Sequence, residues 1–290
     1  MQIMNRIYLV LLCLALSSCG GSSVSKPARL TNAEIYTEEA VNAYEDEEWS
    51  RAQQLFNQSL TIYQGIDDRT GVLVSHINLV EVALARHDLQ SAQKHLIVAE
   101  DIVKTEGIGA YQARITLLYA LVAIQQDEMT KGNGFLQQLM PEFKGGELVD
   151  GIDAIQLAAI ASRTELAFTQ KQDESLWVLR FANALKKAVN EKMTLKARLL
   201  RFQSLLLIQQ ADYSRAEELL QQALLIVKNN LSRSGIAQVL FELGQLKAKQ
   251  GTSVQALNYF DRSIAVFRSV GNDVKVNKVK VERAKLAVMP

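Results

Sequence analysis

Apolar positions recur at intervals of three and four along most of this chain, the spacing that lines up one face of an α-helix. The stretch "FELGQLKAKQGTSVQALNYFDRSIAVF", Phe241 to Phe267, holds two such faces with a short break at Gly251. Within it Gly244, Gly251, Ala256, Phe260 and Ser263 fall 7, 5, 4 and 3 residues apart. The pattern sits 40 residues upstream as well, where Ala216 heads "AEELLQQAL" with Leu220 and Ala223 at the same offsets. It recurs at Ala52, Phe56 and Ser59 and, 40 residues on, at Ala92, Leu96 and Ala99. Gly132, Leu136 and Leu139 continue the series. The 84 residues between Gly132 and Ala216 leave room for one more unit, which "ESLWVLRFANAL" supplies around Ser175 in a register free to slide by two.

Each unit is predicted as a pair of amphipathic helices, for example Val72–Ala85 with Leu89–Val103 and Ala197–Gln209 with Tyr213–Val227. The small residues Ala52, Ala92, Ala216 and Ala256 let two helices approach closely, and Phe56 or Phe260 fills the space between neighbouring pairs. One pair cannot bury its own apolar face, so the pairs must stack. Such a stack needs a polar end. "NDVKVNKVKVERAKLAVM", Asn272 to Met289, lies one period on and fits a closing helix with Lys275, Lys278, Lys280, Arg283 and Lys285 facing water. Its Val/Lys alternation also suits a strand; its position favours the helix. Six pairs and a cap are expected.

The stretch "ELGQLKAKQGTSVQALNYF" resembles the tetratricopeptide repeat, with Leu243, Gly244, Gly251, Ala256 and Phe260 at that family's helix-packing positions. The family period is ~34 residues, whereas here it is 40 to 43. Longer units of the family join through "GD/GN" turns, and "IYQGIDDRTG" and "VFRSVGNDVK" stand at the matching places. The resemblance runs from about Ala33 to the C-terminus. It implies an all-α, right-handed superhelical α-solenoid of stacked antiparallel helix pairs with a C-terminal capping helix. In that family the first helix of each pair lines a concave groove. Carrying the offsets over gives Thr37, Val41 and Tyr44, then Ile77, Glu81 and Leu84, then Leu117, Leu121 and Ile124. Arg201, Leu205 and Ile208 follow, and then Phe241, Gln245 and Ala248. Most are apolar, which suits a partner's helix or an apolar peptide. A register error of one residue would put core positions in this set.

The N-terminus changes the picture of where such a solenoid works. "MQIMNRIYLVLLCLALSSCGG" carries one cation, Arg6, then ten apolar residues from Ile7 to Leu16, then small residues. That run is far short of the ~20 residues a spanning helix needs, and it has the three regions of a secretory signal. Leu16-Ser17-Ser18-Cys19 resembles the lipobox of bacterial lipoproteins. The resemblance implies residues 1–18 as signal peptide and Cys19 as first mature residue, diacylated on sulfur and acylated on its amine. An ordinary cleaved signal or an apolar helix with a chance cysteine are the alternatives. Gly20 after the cysteine implies the outer membrane in family terms. "GGSSVSKPA", Gly20 to Ala28, is a Gly/Ser-type tether; the tether is expected over residues 19–32 and the repeat domain over 33–290. Cys13 leaves with the signal, so no internal disulfide is possible in the mature chain.

Composition and chemistry narrow the function. With 48% apolar and 22% charged residues the chain can bury a long core. A net charge of +1 and 7% aromatic content argue against nucleic-acid binding. The histidines His76, His87 and His95 are spaced 11 and 8 apart, which is not the i, i+4 pair of a helical metal site. His76 is expected in the core or between helices, His87 and His95 in a turn or at the surface. "EDEEW", Glu45 to Trp49, reads as a solvated turn whose acid complements a helix N-terminus. Gly107-Ile108-Gly109 and "FKGGELVDG" both lack what a phosphate loop requires. No serine, cysteine or threonine stands in a nucleophile context. The expectation is a non-catalytic scaffold without metal or cofactor, tethered by its acyl chains and facing the periplasm, that binds a protein partner in the cell envelope. The alternative is a periplasmic receptor for a peptide, glycan or small ligand, for which exposed aromatics are wanted and only two tryptophans exist.

Overall fold

The computed structural model describes residues 28–144, 146–149, 151–188 and 193–287. The signal segment, Cys19 and most of the tether lie outside the described residues. The described chain is an all-α solenoid of helix pairs. Unit one is α1 (Ala28–Glu45) with α2 (Trp49–Gly65), and unit two is α3 (Arg69–Ala85) with α4 (Leu89–Thr105). Unit three is α5 (Gln112–Gln125) with the short α6 (Met129–Gln138), and unit four is α7 (Ala154–Gln170) with α8 (Glu174–Lys187). Unit five is α9 (Met193–Gln209) with α10 (Tyr213–Asn229), and unit six is α11 (Arg233–Lys249) with α12 (Ser253–Ser269). A single helix, α13 (Asp273–Ala287), closes the stack. Helix α1 begins inside the segment expected as tether.

One turn geometry is used again and again, and it explains the even spacing. Nine of the described helices, α1 to α5 and α9 to α12, are followed by a residue with left-handed backbone, and the residue after it leads directly into the next helical segment. Glu47, Asp67, His87, Asp127, Ala211 and Leu231 hold this position without being glycine, and Gly107, Gly251 and Gly271 hold it with the ease glycine brings. The N–H that follows reaches five residues back, as in Asp68 to the Tyr63 carbonyl at 3.0 Å and Asp88 to the Ala83 carbonyl at 2.9 Å. This is the Schellman closure, which satisfies carbonyls the helix end leaves free. The Asp68, Asp88, Asp212 and Ser232 side chains then accept from the third backbone N–H of the next helix.

The core is periodic because the packing positions are. In five of the six units the fourth residue of the second helix is small, Ala52, Ala92, Gly132, Ala216 or Ala256, and it lets the first helix come close. Four residues on, Phe56, Leu96, Leu136, Phe181, Leu220 and Phe260 are all fully buried. A methyl group on Gly244 would sit 2.6 Å from the Phe260 ring, so only glycine fits there. Unit four departs. Its packing helix is in register at Trp177, two residues beyond Ser175, so a tryptophan stands where every other unit has alanine or glycine. The loop before it holds a two-stranded antiparallel hairpin, β1 (Phe143–Lys144) with β2 (Glu147–Leu148), that the periodicity gave no sign of.

The solenoid also lies against itself. Glu47, in the α1–α2 turn and only 9% exposed, accepts hydrogen bonds from Ser234 N at 2.7 Å, Ser234 Oγ at 3.0 Å and Ser232 Oγ at 3.2 Å. Arg233 donates to the Asp46 carbonyl oxygen. A hollow of about 500 Å³ beside this contact is bordered by Trp49, Arg86, Arg233 and Gly271. The turns of units one and two thus meet the turns that lead into unit six and the cap. Glu47 is therefore not the solvated turn residue the sequence suggested. Its carboxylate takes up the N-terminal amide of α11, where the helix dipole favours negative charge.

Candidate partner-binding groove

The first helices turn their inner faces to a continuous groove. Tyr44, Glu81, Leu84, Arg114, Leu117, Leu121 and Ile155 border a hollow of about 490 Å³. Leu117, Leu121, Ile124, Ser162, Glu165, Thr169 and Arg198 border a second of about 300 Å³. Leu117, Leu121 and Ala158 belong to both, so the two are one groove running from unit one across to unit five. It is apolar along the middle because α5 presents Leu117, Leu121 and Ile124 at four- and three-residue spacing.

Charge is set across the groove in pairs that join one first helix to the next. Arg114 Nη2 lies 2.8 Å from Glu81 Oε1, joining units two and three. Arg198 pairs with Glu165 and joins units four and five. Arg201 reaches Glu242 through two nitrogens, with Nε 2.9 Å from Oε2, and joins units five and six. Only 4% of the Glu242 side chain is exposed, and Gln238 donates to the same carboxylate at 2.9 Å. Burial pushes the Glu165 carboxyl up, but Arg198, Arg201 and Lys275 outweigh it and hold it down at about 2. About half of the Glu165 side chain remains open to the groove, so this is a charge held ready in solvent rather than a sealed ion pair. Lys275 is half-buried rather than fully facing water, and burial lowers its ammonium while Glu165 raises it. Burial, and secondarily the Glu81 charge, raises the Tyr44 phenol.

Of the fifteen positions carried over, Thr37 on α1 and Ala248 on α11 are half-buried, Thr37 donating to the Ala33 carbonyl at 2.8 Å and Ala248 packing against the core. The other thirteen divide into those open on the groove face and those covered. Tyr44, Glu81, Leu84, Leu117, Leu121 and Ile124 come together on the groove. Val41 is exposed on the same helix one turn before Tyr44, and Gln245 is half-buried on α11. Ile77, Ile208 and Phe241 are buried in the core, and Leu205 packs against it. Phe241 shares its cluster with Val276 and Val279 of α13, so the cap helix covers the groove face at that end. Arg201 is taken by Glu242. These five cannot meet a partner without repacking. The sequence missed Ser162, Glu165 and Thr169, because unit four had no fixed register, and it missed Arg114 and Arg198, which lie a turn earlier on their helices.

His76 lies buried between helices and His87 in the α3–α4 turn, as expected, whereas His95 is half-buried on α4 against His76. His76 and His95 come from different helices, and their Nδ1 atoms lie 2.9 Å apart with ring centroids at 5.1 Å. One nitrogen must be protonated and the other bare for that bond to exist. Burial and then His95 lower the His76 imidazole to about 4. Spacing within one helix could not reveal a pair formed across two. Among the described residues no group of three His, Cys, Asp or Glu gathers to hold a metal ion. No helix of the described residues is long and apolar enough to cross a membrane.

The fold defines a class, an all-α solenoid of consecutive packed helix pairs with a groove along its first helices. The chain matches no protein-family model, and no curated protein matches it.

Proposed function

We propose that this chain is a lipid-anchored tetratricopeptide-like scaffold, without catalytic activity of its own, that holds a protein partner in the bacterial cell envelope. The observation that carries this reading is the continuous groove on the first helices, apolar along Leu117, Leu121 and Ala158 and flanked by the Glu81–Arg114 and Glu165–Arg198 pairs. A strip of leucines between fixed charges suits an amphipathic segment of a partner, with apolar anchors in the middle and polar contacts at the rim. The anchor rests on Leu16-Ser17-Ser18-Cys19, which would leave Cys19 acylated and the solenoid on the periplasmic side of the outer membrane. The superhelix is right-handed on this reading. A receptor for a peptide, glycan or small ligand is the second reading, favoured by the hollow of about 300 Å³ between α5 and α7, a volume that suits a small ligand.

The test is chemical cross-linking in intact envelopes of the wild type and of a Leu121→Glu, Ala158→Arg double variant whose helix content is unchanged by circular dichroism. Partners lost only from the variant support the groove. The same partners recovered on a folded variant would sink it. Palmitate labelling of Cys19→Ala, expected to vanish, decides the anchor separately.

A further inference from the structure

We propose that the seam between units three and four is a binding site for a phosphate-type oxyanion, formed by Arg163 of α7 and Arg180 of α8 around Trp177. The site lies away from the groove and does not depend on what the groove binds.

Three departures from the repeat meet here. The packing position that is alanine or glycine in every other second helix is Trp177 in unit four. Helix α6 has 10 residues where α2, α4, α10 and α12 have 17, so unit three fails to cover the neighbouring face of unit four. The hairpin Phe143–Leu148 fills that place and is fastened to α8, through Asn183 Nδ2 to the Gly146 carbonyl at 3.2 Å and through Lys187 to the Leu148 carbonyl. The result is a stack. The Arg163 guanidinium carbon is 4.6 Å from the Trp177 ring centre and that of Arg180 is 4.7 Å from it. The Arg180 carbon is also 4.9 Å from the Phe143 ring.

Two guanidinium groups on one indole are cations without an ion-pair partner among the described residues. Arg114, Arg198 and Arg201 each have a carboxylate within ion-pair distance. Arg163 and Arg180 have none among the described residues, and Asp173 acts on Arg163 only from beyond that distance. Arg163 is 9% exposed, and its Nη1 has no hydrogen-bond partner. Arg180 Nε has none either. The remaining unpartnered buried side-chain atom among the described residues is Asn133 Oδ1 on α6, in the same two units. Buried N–H groups are satisfied in nearly all native proteins, and a buried cation needs an opposite charge or it destabilises the fold. Burial and the nearby Arg180 both work against the charge on Arg163, with Asp173 opposing them. Attraction to the indole face offsets part of this, but it satisfies no N–H donor.

An oxyanion supplies what is missing. Guanidinium forks bind tetrahedral phosphate in bidentate fashion, and two of them balance a dianion. Arg180 and Phe143 are half-exposed, so the seam opens to solvent beside the hairpin, and the buried Arg163 forms its inner end. The phosphate could be free or part of a lipid headgroup, since both present the same oxygens.

Trp177 reports on its own site once Trp49 is removed, because the chain has two tryptophans. The full chain carrying Trp49→Phe is titrated with inorganic phosphate against chloride at fixed ionic strength, following Trp177 emission. A saturable change is expected, weakened roughly tenfold or more by Arg180→Gln. A parallel titration uses vesicles of phosphatidylglycerol. A response to phosphate assigns the site to free phosphate, and a response to the vesicles alone assigns it to a headgroup. No saturable response to either, or an equal response from folded Arg180→Gln, overturns the proposal. Arg163→Met gives a second decision. If the charge is kept for a ligand, its thermal midpoint in phosphate-free buffer equals or exceeds that of wild type, and phosphate no longer raises it. A lower midpoint without phosphate means the stack serves the fold alone and overturns the assignment.

Discussion

Replacing Glu47 should open the coil before it unfolds the units. The carboxylate of Glu47 binds the Ser234 amide at 2.7 Å and the Ser234 and Ser232 hydroxyls at 3.0 and 3.2 Å, all at the N-terminus of α11. A hydrogen bond to a charged group contributes about 1.5–3 kcal/mol. A negative charge at a helix N-terminus adds about 0.3–1 kcal/mol. Glu47→Ala removes both and leaves the Ser234 amide to water, a loss of about 2–4 kcal/mol that falls on the contact between units one and six. Each unit keeps its neighbours, so most of the loss appears as opening and not as melting. At tenfold per 1.4 kcal/mol, the closed-to-open ratio should drop by roughly thirtyfold or more. Ser50 and Ser269 are exposed and border the same hollow, so spin labels there read the gap directly in a chain whose two native cysteines are replaced. Wild type should give one short, narrow distance, and Glu47→Ala a broad, longer distribution. An unchanged distribution in the variant would refute the idea that this carboxylate holds the coil closed.

Two further outcomes follow from local geometry. Leu231 is exposed yet held at φ +52°, a left-handed conformation that burdens any residue with a Cβ by about 1–2 kcal/mol. Leu231→Gly should therefore stabilise the chain by about 0.5–1 kcal/mol after glycine's unfolded-state entropy is counted, read from urea denaturation; a fall in the midpoint would contradict this. For His76 the folded imidazole titrates near 4 and the unfolded one near its ordinary value, so the unfolded chain binds more protons between those values. Stability is then full above about pH 6.5 and lost as pH falls toward 4, by on the order of 2–3 kcal/mol. His95 is lowered too and acts in the same direction. Denaturation midpoints measured from pH 7 to pH 4.5 should show the slope, flattened in His76→Gln; an equal slope in the variant would assign it to other groups.

How much of this was legible depends on whether a feature was local. The pairs were, because Ala52, Ala92, Ala216 and Ala256 mark close helix approach and the phenylalanines and leucines four residues on mark what fills it. The turns were only half legible. Glycine at positions 107, 251 and 271 announces left-handed backbone, but Asp67, Ala211 and Leu231 adopt the same geometry with nothing in their type to show it. What joins distant units was not legible at all. Glu47 and Ser234 are 187 residues apart, and a glutamate in an acidic turn looks solvated until the coil brings a helix N-terminus onto it. The groove positions sit in the middle case. Tyr44, Leu84 and Leu121 follow from the offset within a unit, whereas Ile77 and Phe241 share that offset and are covered by neighbours.

Unit four is where the repeat and its consequences part. A solenoid gains stability by making every interface alike, so a unit that breaks the pattern weakens two interfaces at once. Here the alanine position becomes Trp177, α6 is cut short, and a hairpin makes up the missing surface. The same unit carries Glu165 and Arg198's contact on the groove side and the Arg163–Trp177–Arg180 stack at its other seam. A sequence selected for stability alone would have restored alanine there and paired the arginines. That the strongest departure from periodicity coincides with the unpaired charges and buried open donors is the physical reason to look for a ligand at that seam.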